Sequence, residues 1–446
     1  MNKTAMLKLH CSYYIVYVRR LLSLLFLTGS CLVANGQSGP LTVDTLRLSI
    51  DSAESHFINR NFLLLAQRYN IDVAKALEIQ AKLYPNPNLS LASTLYNSPG
   101  NRFFPAPLTN SGELMGALNQ TIVLAGKRNK NLRLAEANTR LSEYQFFDLI
   151  RTLKYSLRVT FYNIYYLMQS AKVYKLEIEN LGHVVKAYNN AELKPFISER
   201  EVVRVKAQLF SLENEHQQLI NQINDAQSEL RLLLQEKAGV FVYPELNNDA
   251  LENTDPLKYP LSALVDSAYK GRTDLLIAQA NTTVSKLNYN YQKALAVPDI
   301  SVGVSYDQQG SYIHNLSMFG FAMDLPFFNR NQGNIKAAKA SIEMSKATEQ
   351  SIRLTVEENV FRALQKALDA DNLYKNMDGS LGKDYARLIA SALDEYKRRN
   401  MSLLEFLDFY DAYIQNALQI NAVKYNKLEA LEDINFFTGS SLFNNP

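Results

Sequence analysis

Cysteine is nearly missing from this chain of 446 residues. The two present, Cys11 and Cys31, both lie near the N-terminus. Tryptophan is absent, and glycine (17) and proline (13) are scarce for the length. So few breakers favour long helices over a sandwich of many short strands. Beyond the first residues no stretch is apolar for the ~18–20 residues that a membrane helix needs. The best candidate, Phe161–Met168, is short and carries Asn163. Any membrane crossing must therefore be made by strands.

The first residues read as a secretory leader. Lys3, Lys8, Arg19 and Arg20 form a basic start, followed by an apolar run from Leu21 to Leu27 that resumes at Cys31–Ala34. Ala34-Asn35-Gly36 offers small residues for cleavage after Gly36. Leu27-Thr28-Gly29-Ser30-Cys31 offers a second reading, lipidation at Cys31, although the usual leucine three places upstream is lacking. Without residues 1–36 the formal charge falls from +3 to about −1, which gives no support to a nucleic-acid partner. The remainder then has no thiol, hence no disulfide, no thiolate nucleophile and no cysteine-held metal.

What is present is a duplication. Leu63-Leu64-Leu65-Ala66-Gln67 returns as Leu275-Leu276-Ile277-Ala278-Gln279, and Pro87-Asn88-Leu89-Ser90-Leu91 returns as Pro298-Asp299-Ile300-Ser301-Val302. Each copy reads as helix, two strands, a very long helix, a short break and a returning helix. Helical patterns cover 50–84, about 128–192, 261–296 and about 334–396, with Gly379 and Gly382 loosening the last. The 128–192 stretch amounts to roughly 95 Å of helix, a rod for a coiled coil, a helical barrel or a stalk. After the first break, Val202, Val205, Leu209, Leu212, His216, Leu219, Ile223, Ala226, Leu230 and Leu233 keep a heptad spacing. Leu403, Leu407, Tyr410, Ile414 and Ala417 repeat it less regularly. The expected organisation is a signal peptide at 1–36, a first repeat at 37–237 and a connector at 238–260. A second repeat at 261–438 and a tail at 439–446 complete it. Strands are expected at about 88–97, 112–124, 299–308 and 314–325, and a short one at Val240–Tyr243.

Those four strands alternate apolar with small or polar residues, as in Ile300/Val302/Val304/Tyr306 against Ser301/Gly303/Ser305/Asp307. Four strands leave two open edges, and open edges in hydrocarbon cost several kcal/mol per unpaired group. Single-chain membrane barrels start at about eight strands. Sister chains must complete the barrel, and three of them give twelve strands.

Two strand-to-helix junctions carry a family resemblance. Gln120-Thr121-Ile122-Val123-Leu124-Ala125-Gly126-Lys127-Arg128 and Leu325-Pro326-Phe327-Phe328-Asn329-Arg330-Asn331-Gln332-Gly333 resemble the paired junctions of the TolC-like outer-membrane efflux proteins. Within that family the heavy-metal-type branch typified by CusC and CzcC is the most similar. The resemblance spans nearly all of residues 45–438. It implies a mainly α fold with membrane β, in which a trimeric 12-stranded β-barrel continues into a periplasmic α-helical barrel. It implies an outer-membrane location, an efflux-duct function, and a periplasmic adaptor and inner-membrane transporter (of RND type) as partners beside outer-membrane lipid.

Three groups of residues are candidates. Gly126, Lys127, Arg128, Asn329, Arg330 and Gly333 fall where strands leave the membrane, to contact headgroups or neighbouring chains, or as plain solvated turns. Phe196, Ile197, Ser198, Asn400, Met401 and Ser402 form the hairpin tips, either to meet the adaptor or to staple each turn closed. Glu405, Asp408 and Asp411 follow the second tip. Three copies around an axis make an acidic ring that favours cations, and in the TolC-like pattern acidic residues here line a periplasmic gate. Their mutual repulsion is expected to raise carboxyl pKa values. The plainer reading is a solvated acidic face paired with Lys397, Arg398 or Arg399.

His56, His183, His216 and His314 are scattered, and the methionines form no cluster for a soft metal. No metal, cofactor or catalytic residue is expected. There is no Walker A loop, GxGxxG, HExxH or GxSxG motif, so an enzyme is not expected. A type I protein-secretion outlet shares the same architecture and stays open. A structural periplasmic coiled-coil tether explains the rods but not the strand pairs. The sequence leaves cargo and cognate partners unnamed.

Overall fold

The computed structural model describes residues 44–105, 112–189, 198–246, 251, 254–308, 313–377, 387–388, 391–392, 394–396, 398 and 400–443. The leader, with Cys31, lies outside them. The chain divides into two compact units. The described residues of the smaller are 44–46 and 239–241; there the Phe241 N–H donates to the Asp44 carbonyl at 2.8 Å. The larger unit comprises residues 47–238 and 242–446.

After strand β1 (Thr45–Ser49), the first repeat runs through helices α1 (Ile50–Arg60) and α2 (Phe62–Lys82) and strand β2 (Asn88–Ser93). A small hairpin of β3 (Tyr96–Asn97) and β4 (Arg102–Phe103) precedes β5 (Leu114–Ile122), and α3 (Lys127–Asn189) and α4 (Glu199–Leu234) follow. Strand β6 (Phe241–Glu245) sits in the connector, starting one residue and ending two residues later than the sequence pattern placed it. The second repeat is α5 (Leu261–Gly271), α6 (Thr273–Leu295), β7 (Ile300–Asp307), β8 (Leu316–Met323), α7 (Gln332–Asn376) and α8 (Leu403–Thr438). Helix α3 has 63 residues, about 95 Å at 1.5 Å per residue.

Each repeat's entry helix is two helices, not one. Asn61 ends α1 and caps α2: its side chain accepts from Leu63 N and Leu64 N at 2.9 and 3.2 Å. A side-chain acceptor that captures backbone N–H groups is what breaks a helix without proline. The Asn61 amide then donates to the Leu233 carbonyl at the end of α4 (2.9 Å). In the second repeat the break is Arg272, held by Asp274 (2.5 Å), and it too faces the end of its return helix. There Gly271 and Gly439 approach so closely that a Cβ on Gly439 would stand 2.5 Å from Gly271 backbone. Helix α7 ends at Asn376, where Met377 is extended, and residues 387–388, 391–392 and 394–396 are helical again.

Helix α3 packs against α2, α4, α6 and α8, and α7 against α6 and α8. One core gathers Phe57, Leu157, Phe161, Ile164, Leu230 and Leu234; another gathers Leu264, Leu275, Val356, Val360, Leu431 and Ile434. Charges between helices are paired: Arg158 lies between Glu54 (2.6 Å) and Glu432 (2.9 Å), and Lys427 lies on Asp371 (2.8 Å). The α8 seam buries Leu403, Phe406, Tyr410 and Ile414. Phe406 takes the place the heptad reading gave to Leu407, and its ring stacks on Tyr396 at 5.0 Å.

Candidate functional site: the strand sheet, its junctions and the hairpin ends

The four long strands form one antiparallel sheet in the order β2-β5-β7-β8. The repeats meet at β5–β7, and β2 and β8 are its edges. In an antiparallel sheet, directly opposed residues share a face. Leu89, Leu118, Val304 and Phe319 make one such row, and Ile122, Ile300 and Met323 another. On the other face Asn88, Asn119, Gly303 and Gly320 are aligned, as are Thr121, Ser301 and Ala322. One face is therefore mostly apolar, with Gln120 and Ser317 among the exceptions, and the other mostly small or polar, with Met115, Leu316 and Met318 as exceptions. The apolar face is bare: Phe319 is 74% and Phe321 78% exposed. On the polar face Asn119 lies across Gly303, where any Cβ would overlap its amide oxygen.

The junctions below the sheet are built differently in the two repeats. Ala125 and Gly126 both adopt positive φ (54° and 65°), turning the chain from β5 into α3. Lys127 then points inward, not toward lipid: it is buried and its Nζ meets Asp299 Oδ1 at 2.6 Å. The same carboxylate oxygen accepts from Leu124 N (2.9 Å). Arg128 donates to the Lys82 carbonyl (2.9 Å) and covers the Tyr84 ring at 4.1 Å. In the second junction Asn331 takes that anchoring part: at φ 57°, its amide donates to the Gln292 carbonyl at 2.8 Å. Asn329 accepts from Asn331 N (3.0 Å), and the Arg330 N–H donates to Gln332 (2.8 Å). Arg330 and Gly333 are exposed, and Phe328, beside them, is 95% exposed.

Residues 264–440 match the family model described as "Outer membrane efflux protein". The match lies in the second half of the chain, which thereby resembles that family. The chain is a protein of the outer membrane that reaches into the periplasm, and the family consists of transport channels, not enzymes. A relative is the cobalt-zinc-cadmium resistance protein CzcC of Cupriavidus metallidurans, 20% identical over 348 residues, which cover 77% of this chain and 79% of CzcC. Among solved structures, the CmeC outer membrane channel of Campylobacter jejuni superposes with a TM-score of 0.72 at 16% identity, covering 87% of this chain and 85% of CmeC. CusC superposes with 0.71 at 14% identity, covering 88% and 92%. These likenesses show the fold, a mainly helical chain of the TolC-like kind.

Both return helices start with the same device. Ser198 and Glu201 form a capping box at α4, and Ser402 and Glu405 form one at α8. Glu405 Oε2 accepts from Ser402 N (2.9 Å) and from Ser402 Oγ (2.8 Å). Those bonds hold its carboxyl below the usual range, opposite to the rise expected from crowded like charges. The Ser-x-x-Glu spacing was visible in both repeats and is a helix-start signal. Asp408 and Asp411 are exposed on the same side of α8, at i+3 and i+6 from Glu405. Among the tip residues, Phe196 and Ile197 lie outside the described residues. Asn400 is tied to Glu395 through its N–H (2.9 Å) and its amide (2.7 Å). Met401 is half-buried. Near the tips, Val203 and Phe210 on α4 and Leu404 on α8 are bare apolar side chains.

Sequence spacing alone does not pair Asp299 with Lys127. The duplication held the signal: the second repeat has Pro-Asp where the first has Pro-Asn.

Proposed function

We propose that three copies of this chain form an outer-membrane efflux duct that passively conducts substrates delivered from the periplasm. The observation that carries this reading is the two-faced sheet with open β2 and β8 edges. Members of the family are trimeric outer-membrane channels of tripartite efflux systems, and the strand directions fit. β8 of one copy runs antiparallel to β2 of the next, so three sheets close into twelve strands with the apolar rows toward lipid. The stripe of Leu65, Tyr69, Val73 and Leu77 on α2, all exposed and four residues apart, then meets neighbouring chains. A periplasmic adaptor engages the hairpin tips, and an inner-membrane transporter supplies the cargo and its selection. The acidic face of Asp408 and Asp411, with Glu405 at its start, lines the periplasmic opening as a cation-favouring gate. The repeats at 37–237 and 261–438 are the two structural halves of each wall.

Native mass measurement of detergent-extracted protein and planar-bilayer recording test this together. Trimers that conduct ions are expected. A monomer released into aqueous buffer without detergent would overturn the reading.

A further inference from the structure

Burying a carboxylate is costly unless a cation or several donors compensate it. Four acidic residues of the described chain are buried: Glu177, Asp371, Glu432 and Asp433. Three have a cation at hand. Asp371 meets Lys375 and Lys427 at 2.7 and 2.8 Å, Glu432 meets Arg158 at 2.9 Å, and Asp433 meets Lys366 at 2.9 Å. Glu177, at 1% exposure, makes no ion pair among the described residues. Its carboxylate accepts one long bond, 3.4 Å from the Asn180 amide.

The surroundings of Glu177 join three helices close to the tips. On α8, the buried Tyr410 donates its hydroxyl to the Glu177 carbonyl at 2.8 Å. Glu177's charge also acts on Tyr410 and Tyr413 of that helix, pushing both phenols up behind the larger effect of burial. On α3, Tyr174 stands one turn earlier and donates to Glu215 of α4 (3.1 Å), which also accepts from Ser211 (3.1 Å). The ring of His216, also on α4, lies 6.4 Å from that of Tyr174, and Asp411 of α8 acts on the same tyrosine. The charged groups facing this layer from all three helices are thus Glu177, Glu215 and Asp411, with His216 at its edge.

We propose that Glu177 is a proton-operated latch that fastens α3 to α8 near the periplasmic end. Burial raises its carboxyl above the ordinary range, and the long bond from Asn180 offsets only part of this. A raised carboxyl pKa fixes the sign. The α3–α8 contact is at full strength when the side chain is protonated. It weakens as pH rises through the raised value, because the ionised form must recruit water that the closed layer excludes. Loosening this contact frees the α8 segment that carries Asp408 and Asp411. The conduction consequence rests on the duct reading above; the contact itself does not.

The test compares the full-length trimer with Glu177→Gln, which keeps the shape and removes the charge. Hydrogen exchange is followed in peptides covering 170–184 and 406–416 between about pH 5 and pH 8, corrected for the intrinsic rate. In the wild type, protection should fall with rising pH, about tenfold for each unit by which the pKa is raised. Glu177→Gln should stay protected throughout, while Glu215→Gln keeps the wild-type profile. Should Glu177→Gln misassemble, Glu177→Met serves in its place with the same expectation. Identical profiles for wild type and the uncharged variant overturn the latch. In bilayers the variant should also lose the pH dependence of open probability. A latch seen by exchange in a protein that does not conduct would uphold it and refute the duct.

Discussion

Lys127 and Asp299 stand 172 positions apart in sequence and 2.6 Å apart in space. They fasten the exit of the first repeat's strand pair to the entry of the second's. The ammonium is almost fully covered, and the carboxylate is about one third exposed. Removing the carboxylate strands a buried cation, whereas removing the ammonium leaves a carboxylate that water can reach. Asp299→Ala should therefore cost more, about 2 kcal/mol, than Lys127→Met at about 1 kcal/mol. A double-mutant cycle read by denaturant unfolding should show a coupling of the same size. Additive losses would mean that the two junctions are held by their backbones alone.

The Gly271–Gly439 contact makes a second prediction. Gly439 closes α8 in the left-handed region (φ 64°) and lies on Gly271, where a Cβ would stand 2.9 Å from the Gly439 carbonyl oxygen. Alanine at 439 meets both a backbone clash and an unfavourable φ, and should lower stability by about 2–3 kcal/mol. Alanine at 271 meets only the clash and should cost less. Gln235 closes α4 at φ 56° in the corresponding place, and Gln235→Gly should stabilise by a few tenths of a kcal/mol up to about 1 kcal/mol. Thermal unfolding of the three variants would rank them.

Much of this arrangement could be read from the sequence because it repeats. Two copies of a helix-strand-strand-helix-helix plan, each with apolar alternation, identify the sheet and the hairpins without any tertiary information. What could not be read depends on single side chains whose partners are distant. Asn61 and Arg272 each split a helix whose apolar period continues across the break, so periodicity joins what the cap divides. Glu405 looked like part of an acidic cluster because its charge is local to Asp408, while its hydrogen bonds go three residues back to Ser402. Glu177 is one of five acidic residues in a 63-residue helix, and only packing shows that it meets no cation among the described residues.

The two faces of the sheet should respond oppositely to charge. Lysine at Val304 or Phe321 would enter the apolar rows that the duct reading turns toward lipid. Near the middle of the hydrocarbon this costs about 2–4 kcal/mol. Lysine at Ser301 or Ala117 would face the lumen. The first pair should fail to assemble into detergent-stable trimers. The second should assemble and shift the reversal potential toward anions. Equal tolerance on both faces would refute the assignment of lipid and lumen.

The last prediction separates the cap from the gate at Glu405, which one residue combines. Glutamine can serve at the third position of a capping box as glutamate does. Glu405→Gln should therefore keep α8 intact while removing one negative charge per chain. Ser402→Ala does the reverse: it keeps the charge and removes the cap, at about 1 kcal/mol. If Glu405 acts on the conduction path, Glu405→Gln should weaken block by divalent cations with no loss of thermal stability. Asp408→Asn and Asp411→Asn should do the same. If Glu405 only starts the helix, Glu405→Gln should change neither property, while Ser402→Ala frays the first turn of α8 and is detected by faster amide exchange at residues 403–406. The two aspartates have no part in the cap, so a gate made of Asp408 and Asp411 alone predicts altered block in their variants and unaltered block in Glu405→Gln.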